Sequence, residues 1–337
     1  MIRTLCLSAC FALLSGALLA QSASIRPLTT APINSIRGLC AVTDNVAWVS
    51  GTGGKVGRTL DGGKTWQWMS VPGCDTCDFR DVEAFSGEVA IVMAIATPAR
   101  IYRTEDGGKH WEQTFYDNTP GMFLDAIAFW DENNGIAVGD PVEDHFVLLR
   151  TRNGGRSWED MEEGLRAKFE EAPFAASGTS IATLPDSNWV LVTGGSQSRL
   201  YYKTPGSLSG SPIERYIGKK NAAGLFSVAL RNAQSGVMVG GDYLHPADTK
   251  FTCYRLAGKY LESEATQTPP RGYRSCVAYL DADRYICTGP TGTDISTDGG
   301  RNWKPVKGEG YHVVQRARNG ARVYLAGSKG RIAVLQP

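Results

Sequence analysis

A short motif recurs four times along the chain, and its spacing restricts the available folds more than any other feature. It reads Arg58-Thr-Leu-Asp-Gly-Gly-Lys-Thr-Trp66, Arg103-Thr-Glu-Asp-Gly-Gly-Lys-His-Trp111, Arg150-Thr-Arg-Asn-Gly-Gly-Arg-Ser-Trp158 and Ser296-Thr-Asp-Gly-Gly-Arg-Asn-Trp303. The first three tryptophans lie 45 and 47 residues apart, and 145 residues, close to three further units, separate Trp158 from Trp303. A period in the forties, built from short apolar runs and tight turns, predicts four-stranded propeller blades. Asp61, Asp106, Asn153 and Asp298 each precede Gly-Gly. The glycines supply positive φ angles, and the Asp or Asn oxygen accepts bonds from loop amides. Trp66, Trp111, Trp158 and Trp303 then open the next strand and cover apolar surface between blades. All eight residues are read as structural.

Upstream of each turn stand two apolar runs, such as Phe79-Arg-Asp-Val-Glu-Ala-Phe85 followed by Val89-Ala-Ile-Val-Met-Ala94. Weak alternation of this kind fits inner strands packed on both faces. The same register recurs at Ser35, Phe123, Ser180, Leu225, Gly272 and Gly310, which makes seven starts. The expected fold is all-β: a seven-bladed propeller of antiparallel four-stranded blades. Degenerate turns in the fourth and fifth units, Lys203-Thr-Pro-Gly and Leu256-Ala-Gly-Lys, leave six or eight blades open. The last unit is one strand short and the first begins with a spare, Ser24-Ile-Arg-Pro-Leu-Thr-Thr. The N-terminal strand is therefore expected to close the ring and remove its exposed edge.

Residues 1–23 read as a secretory signal, with Arg3 before an almost wholly apolar run from Leu5 to Leu19 and small residues from Ala17 to Ala23. That run is too short for a membrane anchor, and Leu7-Ser8-Ala9-Cys10 lies too near Met1 for a lipoprotein box. A single propeller domain over residues 24–337, secreted or periplasmic and with no membrane span after signal removal, follows. The formal net charge of +1 argues against a nucleic-acid surface. Six cysteines remain: Cys40, Cys74, Cys77, Cys253, Cys276 and Cys287. Cys74 and Cys77 suit a short local disulfide in a loop better than a redox pair. Cys276 and Cys287 sit in successive strands, where they are either bonded or buried singly.

With the turns between third and fourth strands on one face, the longest loops fall on the other, together with the links between blades. One link, from about Met161 to Ala176, is charged enough for a short helix. The inner-strand starts bring Arg37, Arg80, Asp81, Asp125, Arg274 and His312 to the mouth of the central channel, and the loops add Asp140, Arg199, Asp242 and His245. Such a ring of mixed charge on a rigid scaffold suits binding. The alternative is that the arginines pair with carboxylates such as Asp81 and Asp125 to tie blades together. Hard oxygen ligands cluster at Asp140, Glu143, Asp144 and His145, and at Asp242, His245 and Asp248, but in no recognised metal-loop spacing. Neither a metal nor a cofactor is expected.

The repeats resemble those of Asp-box (BNR) propellers, a group that spans sialidases, sortilin-like domains and photosystem II stability/assembly factor-like proteins. Phe79-Arg-Asp-Val-Glu-Ala-Phe85, Asp125-Ala-Ile-Ala-Phe-Trp130, Gly139-Asp-Pro-Val142, Phe174-Ala-Ala-Ser-Gly-Thr-Ser180 and Gly240-Gly-Asp-Tyr243 make the chain look most like secreted bacterial relatives of the assembly factors. Such proteins are often loosely labelled oxidoreductases or glycosyl hydrolases. The resemblance implies the fold and leaves the chemistry open. Arg37, Arg80 and Arg274 could imitate a sialidase arginine triad, but Ser35-Ile-Arg-Gly38 departs from the Phe/Tyr-Arg-Ile-Pro opening. No dinucleotide motif supports an oxidoreductase. The expected function is a non-catalytic binding or assembly propeller, a monomer, that grips an envelope or extracellular protein or glycan. The rival is a secreted glycoside hydrolase or lyase, for which two carboxylates such as Asp140 and Asp242 should face one deep pocket.

Overall fold

A computed structural model of the protein describes residues 23–161, 164–204, 207–212, 222–259 and 261–336. The signal read over residues 1–23, and the degenerate turn at Pro205 and Gly206, fall essentially outside them. Seven antiparallel sheets follow one another around a ring, and each supplies four strands to a blade. The inner strands are Ile36–Ala41, Phe79–Ala84, Leu124–Phe129, Ile181–Leu184, Ala223–Asn232, Cys276–Asp281 and Val313–Arg316. Inner strands such as Ile36–Ala41 and Leu124–Phe129, and second strands such as Ala90–Ala94, are almost wholly buried. Outer strands such as Gln67–Ser70 are exposed or half-buried throughout. Two-sided burial explains why the inner runs lack alternation in sequence.

Closure is as expected from the spare strand. Ser24–Thr30 pairs antiparallel with Arg331–Gln336, from Ser24 opposite Gln336 to Thr30 opposite Arg331, and completes the seventh blade. Ile25 and Leu28 pack on the core shared by the seventh and first blades.

The four turns share one geometry. In the second blade, Thr104 Oγ1 accepts the Gly108 amide at 2.9 Å, while Asp106 Oδ1 accepts the Lys109 and His110 amides at 3.0 Å. Thr59 with Asp61, Thr151 with Asn153 and Ser296 with Asp298 repeat the arrangement. Both glycines of each turn have positive φ. A Cβ on the second would lie 2.0 Å from Met69 Sδ at Gly108 and 2.5 Å from Ile91 Cδ1 at Gly155, so the turn packs directly on the preceding blade. Arginines complete the seams: Arg103 donates to Gly154 O at 2.9 Å and Arg255 to Gly299 O at 3.0 Å, each in the next blade.

Trp303 is buried, with its indole N–H on Gly300 O at 3.1 Å. Trp66, Trp111 and Trp158 are only half-buried. Trp111 meets Trp48 of the preceding blade edge-on, and Trp66 stacks on Trp68 of its own blade.

One expectation needs correction, and one left open is decided. The described residues of the link before the fourth blade form no helix: Glu171–Ala172 pairs instead with Gly194–Gly195, adding a short ladder to the inner edge of the fifth blade. Buried Glu171 fixes it there, receiving Arg199 Nε at 2.9 Å and the Thr193 hydroxyl at 2.5 Å. Cys276 and Cys287 are not bonded, since Cys287 opposes Val277 and the two side chains therefore enter different seams. Cys74 and Cys77 do form the local disulfide, and Cys40, Cys253, Cys276 and Cys287 are buried free thiols.

Candidate functional site

The inner strands of the first, second, third and fifth blades share a local fault. Register shifts fall between Ile36 and Gly38, Phe79 and Asp81, Leu124 and Ala126, and Leu225 and Ser227. A bulge inserts one residue and re-aims its side chain. The inserted residues are Arg37, Arg80, Asp125 and Phe226, and all four line one cavity of about 490 Å³ at the channel mouth. Ser275 and His312 complete the ring from the sixth and seventh blades. The link at 172–176 takes the fourth blade's place and roofs the cavity, held by Arg37 on Ala176 O at 2.9 Å and by Arg80 on Ala175 O at 3.4 Å.

One wall is aromatic. Phe174 and Phe226 stack at 4.0 Å between centroids, and Tyr273 and Tyr243 meet Phe226 edge-on at 4.8 and 6.3 Å. Tyr243 continues outward into exposed Leu244 and Phe251, while Phe169 of the link is exposed on the same face. Buried rings with a wet apolar rim are the usual make-up of a recognition site.

The other wall is charged. Arg80 is paired with Asp78 at 2.8 Å, whereas Arg37 makes no ion pair among the described residues. Burial, then the charge of Arg80, lowers the Arg37 pKa. His312 sits behind it with Nδ1 3.1 Å from Ile36 O. Burial and Arg37 push its pKa down to about 4, so the ring is neutral near pH 7. Asp125 and Asp140 lie on adjacent strands of the third blade, where a second bulge between Gly139 and Pro141 turns Asp140 toward Asp125. Their carboxyls are within hydrogen-bond reach of each other. Burial, then the Asp140 charge, holds Asp125 well above the carboxylate range, and burial pushes Asp140 up to about 6. Asp125 Oδ2 and Asp140 Oδ1 are buried without a donor from any described residue. One proton held between the carboxyls satisfies both.

Of the residues anticipated at the mouth, Arg37, Arg80, Asp125, Asp140 and His312 meet in this cavity. Arg274 does not. It occupies the position equivalent to Ile36 and Leu124, one residue before the bulge, so its side chain turns between blades. It is fully buried there, with Nε on Asp294 at 2.9 Å, and cannot form a triad with Arg37 and Arg80. Asp81 is a tie as well: it accepts the Val82 amide at 2.8 Å and the Ile127 amide of the next blade at 2.7 Å. Arg199 is committed to Glu171. Asp242 is held in its own loop by the Leu244 amide at 2.9 Å and His245 Nδ1 at 2.9 Å, away from Asp140. Asp144 binds His145 at 2.6 Å and Arg166. Among the described residues no three His, Cys, Asp or Glu side chains converge on a metal position. The aromatic wall went unread. Phe174, Phe226 and Tyr243 stand inside stretches that look merely like strand and loop; the bulge turns Phe226 inward, and the link brings Phe174 onto it.

Two facing carboxyls do line the cavity, but their spacing is that of a shared proton. Glycoside hydrolases hold theirs roughly 5–10 Å apart.

No protein-family model matches the chain, and neither does any curated protein. Similarity appears in solved structures. A structure described as YCF48 bound to D1 peptide superposes with a TM-score of 0.66 at 16% identity, covering 94% of this chain and 96% of that one. YCF48 from Cyanidioschyzon merolae gives 0.65 at 19% identity, covering 94% and 99%. Virginiamycin B lyase from Staphylococcus aureus gives 0.68 at 11% identity, again covering 94% and 99%. At these identities the likeness is one of fold, that of the β-propeller. No helix among the described residues is long and apolar enough to cross a membrane.

Proposed function

We propose that this protein is an exported, non-catalytic binding propeller that takes a segment of a protein partner into the cavity at its channel mouth. The observation that carries the reading is the bulge set, which aims Arg37, Arg80, Asp125 and Phe226 into one roofed space. Binding needs convergent polar groups on an apolar floor, and nothing in the set requires a reaction. A protein partner suits the rim better than a glycan, because Phe169, Leu244 and Phe251 stand exposed around the same face. Arg37 offers a half-buried positive charge to an acidic group of the segment. A propeller of like fold, YCF48, has been captured with a peptide, which supports the same use of this fold here. The leader over residues 1–23 supports export to the periplasm or beyond.

Panning a displayed peptide library against the mature propeller tests the reading. Enriched sequences should bind the parent and lose at least about tenfold in affinity to Phe226→Ala and to Arg80→Glu, as removal of a buried anchor does. A library that yields no sequence sensitive to these changes, together with turnover of a glycan substrate, would overturn it in favour of an enzyme.

A further inference from the structure

Among the described residues, only the link into the second blade carries a disulfide, and the shape of that link does not require it. Cys77 donates its amide to Cys74 O at 2.8 Å, and Asp78 bridges to Thr52 before the inner strand Phe79–Ala84 begins. The link into the third blade repeats this geometry without cysteine. There the Met122 amide reaches Thr119 O at 2.9 Å, and Phe123 bridges to Ala96. A bond across a sequence separation of only 3 also takes little freedom from the unfolded chain. Reduction can therefore leave the link folded, as a switch requires.

The two sulfurs stand in unlike surroundings. Cys74 is buried, whereas Cys77 is half-buried beside exposed Asp75 and Thr76. Arg100 Nη1 lies 4.0 Å from Cys74 Sγ, and its other partners are neutral: Gly73 O and the Tyr102 hydroxyl, each at 3.4 Å, and the Tyr116 ring. A guanidinium so placed stabilises negative charge on Cys74, the sulfur that leaves when a thiolate attacks Cys77. The chain beyond the pair leads straight to the cavity. Asp78 follows Cys77, its Oδ2 receives Arg80 Nε at 2.8 Å, and Arg80 reaches the roof at Ala175 O. Asp78 Oδ1 is buried with no donor among the described residues, so Arg80 is what its carboxylate holds.

We propose that Cys74–Cys77 is a thiol–disulfide exchange site, opened by a dithiol that attacks Cys77, and that opening it slackens the Asp78–Arg80 pair and weakens the cavity's hold on its segment. The exchange stands on the loop alone, and its effect on affinity rests on the binding reading above. One thiolate of the dithiol bonds to Cys77 Sγ, and the electron pair of the broken S–S bond passes to Cys74 Sγ beside Arg100. The second thiolate then attacks its partner sulfur in the mixed disulfide and releases Cys77. The dithiol ends as a disulfide, and its two protons end on Cys74 and Cys77. Unbonded sulfurs need more room than bonded ones. Cys74 cannot give that room, because it is packed in the core with Val71 and Tyr102, and a Cβ on Gly54 would lie 2.0 Å from its carbonyl oxygen. Cys77 gives way instead and carries Asp78 with it.

The test uses the folded mature propeller. Brief exposure to reduced glutathione, an acid quench and peptide mapping should find glutathione on Cys77 and not on Cys74. Dithiothreitol should open the bond while buried Cys40, Cys253, Cys276 and Cys287 stay closed to alkylation, which shows that the blades are intact. The Arg80 Nε–H signal in NMR, assigned by its loss in Arg80→Gln, should shift on reduction and return on reoxidation. Displayed peptides enriched on the oxidised propeller should lose at least about fivefold in affinity on reduction, the lower end of ordinary coupling between sites. The Cys74→Ser, Cys77→Ser double variant should be indifferent to dithiothreitol. Glutathione on Cys74, a bond that opens only on unfolding, an unmoved Arg80 signal or a double variant that still responds would each overturn the proposal. If Arg80 moves but bound peptides keep their affinity, the coupling to the cavity falls. If no peptide binds the oxidised propeller, the binding reading falls, and the exchange site stands on the glutathione and Arg80 results.

Discussion

The two faces of the disc are built from the same strands but obey different rules. On the turn face, each Asp or Asn is consumed by amides of its own loop, and each second glycine is pressed against the preceding blade. Polar groups there are satisfied locally, so the motif can be copied around the ring without reference to what lies opposite. On the link face, the equivalent positions of successive blades carry Arg37, Arg80, Asp125, Phe226, Ser275 and His312, six different demands on one cavity. Repetition marks the face that holds the ring together, and departure from repetition marks the face that can recognise something.

Closure is the element both faces share, and removing it is the most severe way to test whether they can be separated. Deleting Ser24–Thr30 strips the outer strand from the seventh blade, exposes the edge of Arg331–Gln336 and uncovers the core under Ile25 and Leu28. The melting temperature should drop by more than about 10 °C, and peptide binding should disappear with it. A truncation that melts like the parent would show that the blades stand without the ring.

Trp303→Ala separates the faces more finely. Trp303 is buried in the seam of the fifth and sixth blades and bonded to Gly300, so the change should cost about 3–5 kcal/mol in denaturant melts. Peptide affinity of the folded fraction should not move. The half-buried Trp66 should cost less, because part of its ring is already in water. A binding loss in Trp303→Ala would mean that the cavity is not insulated from the turns.

Asp140→Asn should move stability the other way, raising it at neutral pH. Asp140 in the folded chain titrates near pH 6, above its unfolded value, so folding favours the protonated form. Stability is therefore full below the unfolded pKa and is eroded as pH rises toward 6. Asparagine escapes that erosion. The variant should match the parent near pH 3.5 and exceed it by roughly 2–3 kcal/mol at pH 8. Equal stability at pH 8 would mean that the carboxyl ionises there without strain and that no proton is shared. Together with Trp303→Ala, this variant divides residues that hold the fold from residues that cost it something.

The difference between the faces also decides what could be read in the sequence. The turn face was legible because each motif is local: Thr-x-Asp-Gly-Gly needs only its own loop, and the period of the tryptophans counts the blades. Closure by Ser24–Thr30 followed from the same count. The cavity was legible only in part. Arg37, Arg80, Asp125 and His312 fell at strand starts, but a bulge moves side chains by one position, and sequence periodicity does not reveal it. Arg274 illustrates the error: grouped with Arg37, it belongs with Ile36, and its place is taken by Ser275. Phe226 stood in plain view in Leu225-Phe-Ser-Val, and only the register shift there shows that it faces the channel. The link misled for a related reason. Its charges suggested a helix, but Glu171 is spent on Arg199 and Thr193 in a ladder with a distant segment.

The smallest effect is the most pointed test of how the turns work. In every copy a hydroxyl two residues before the Asp or Asn accepts the amide of the second glycine: Thr59, Thr104, Thr151 and Ser296. Thr104 is buried, so Gly108 has no water to turn to when that hydroxyl is lost. Thr104→Val keeps the shape and leaves the amide unpaired, which should cost about 1–3 kcal/mol. Thr104→Ser keeps the oxygen and should cost less. If valine is as stable as threonine, the carboxylate of Asp106 and the glycine φ angles suffice to make the turn. If valine falls and serine does not, the hydroxyl is a working part of the motif, which fits the fourth copy, where Ser296 already holds the place of threonine.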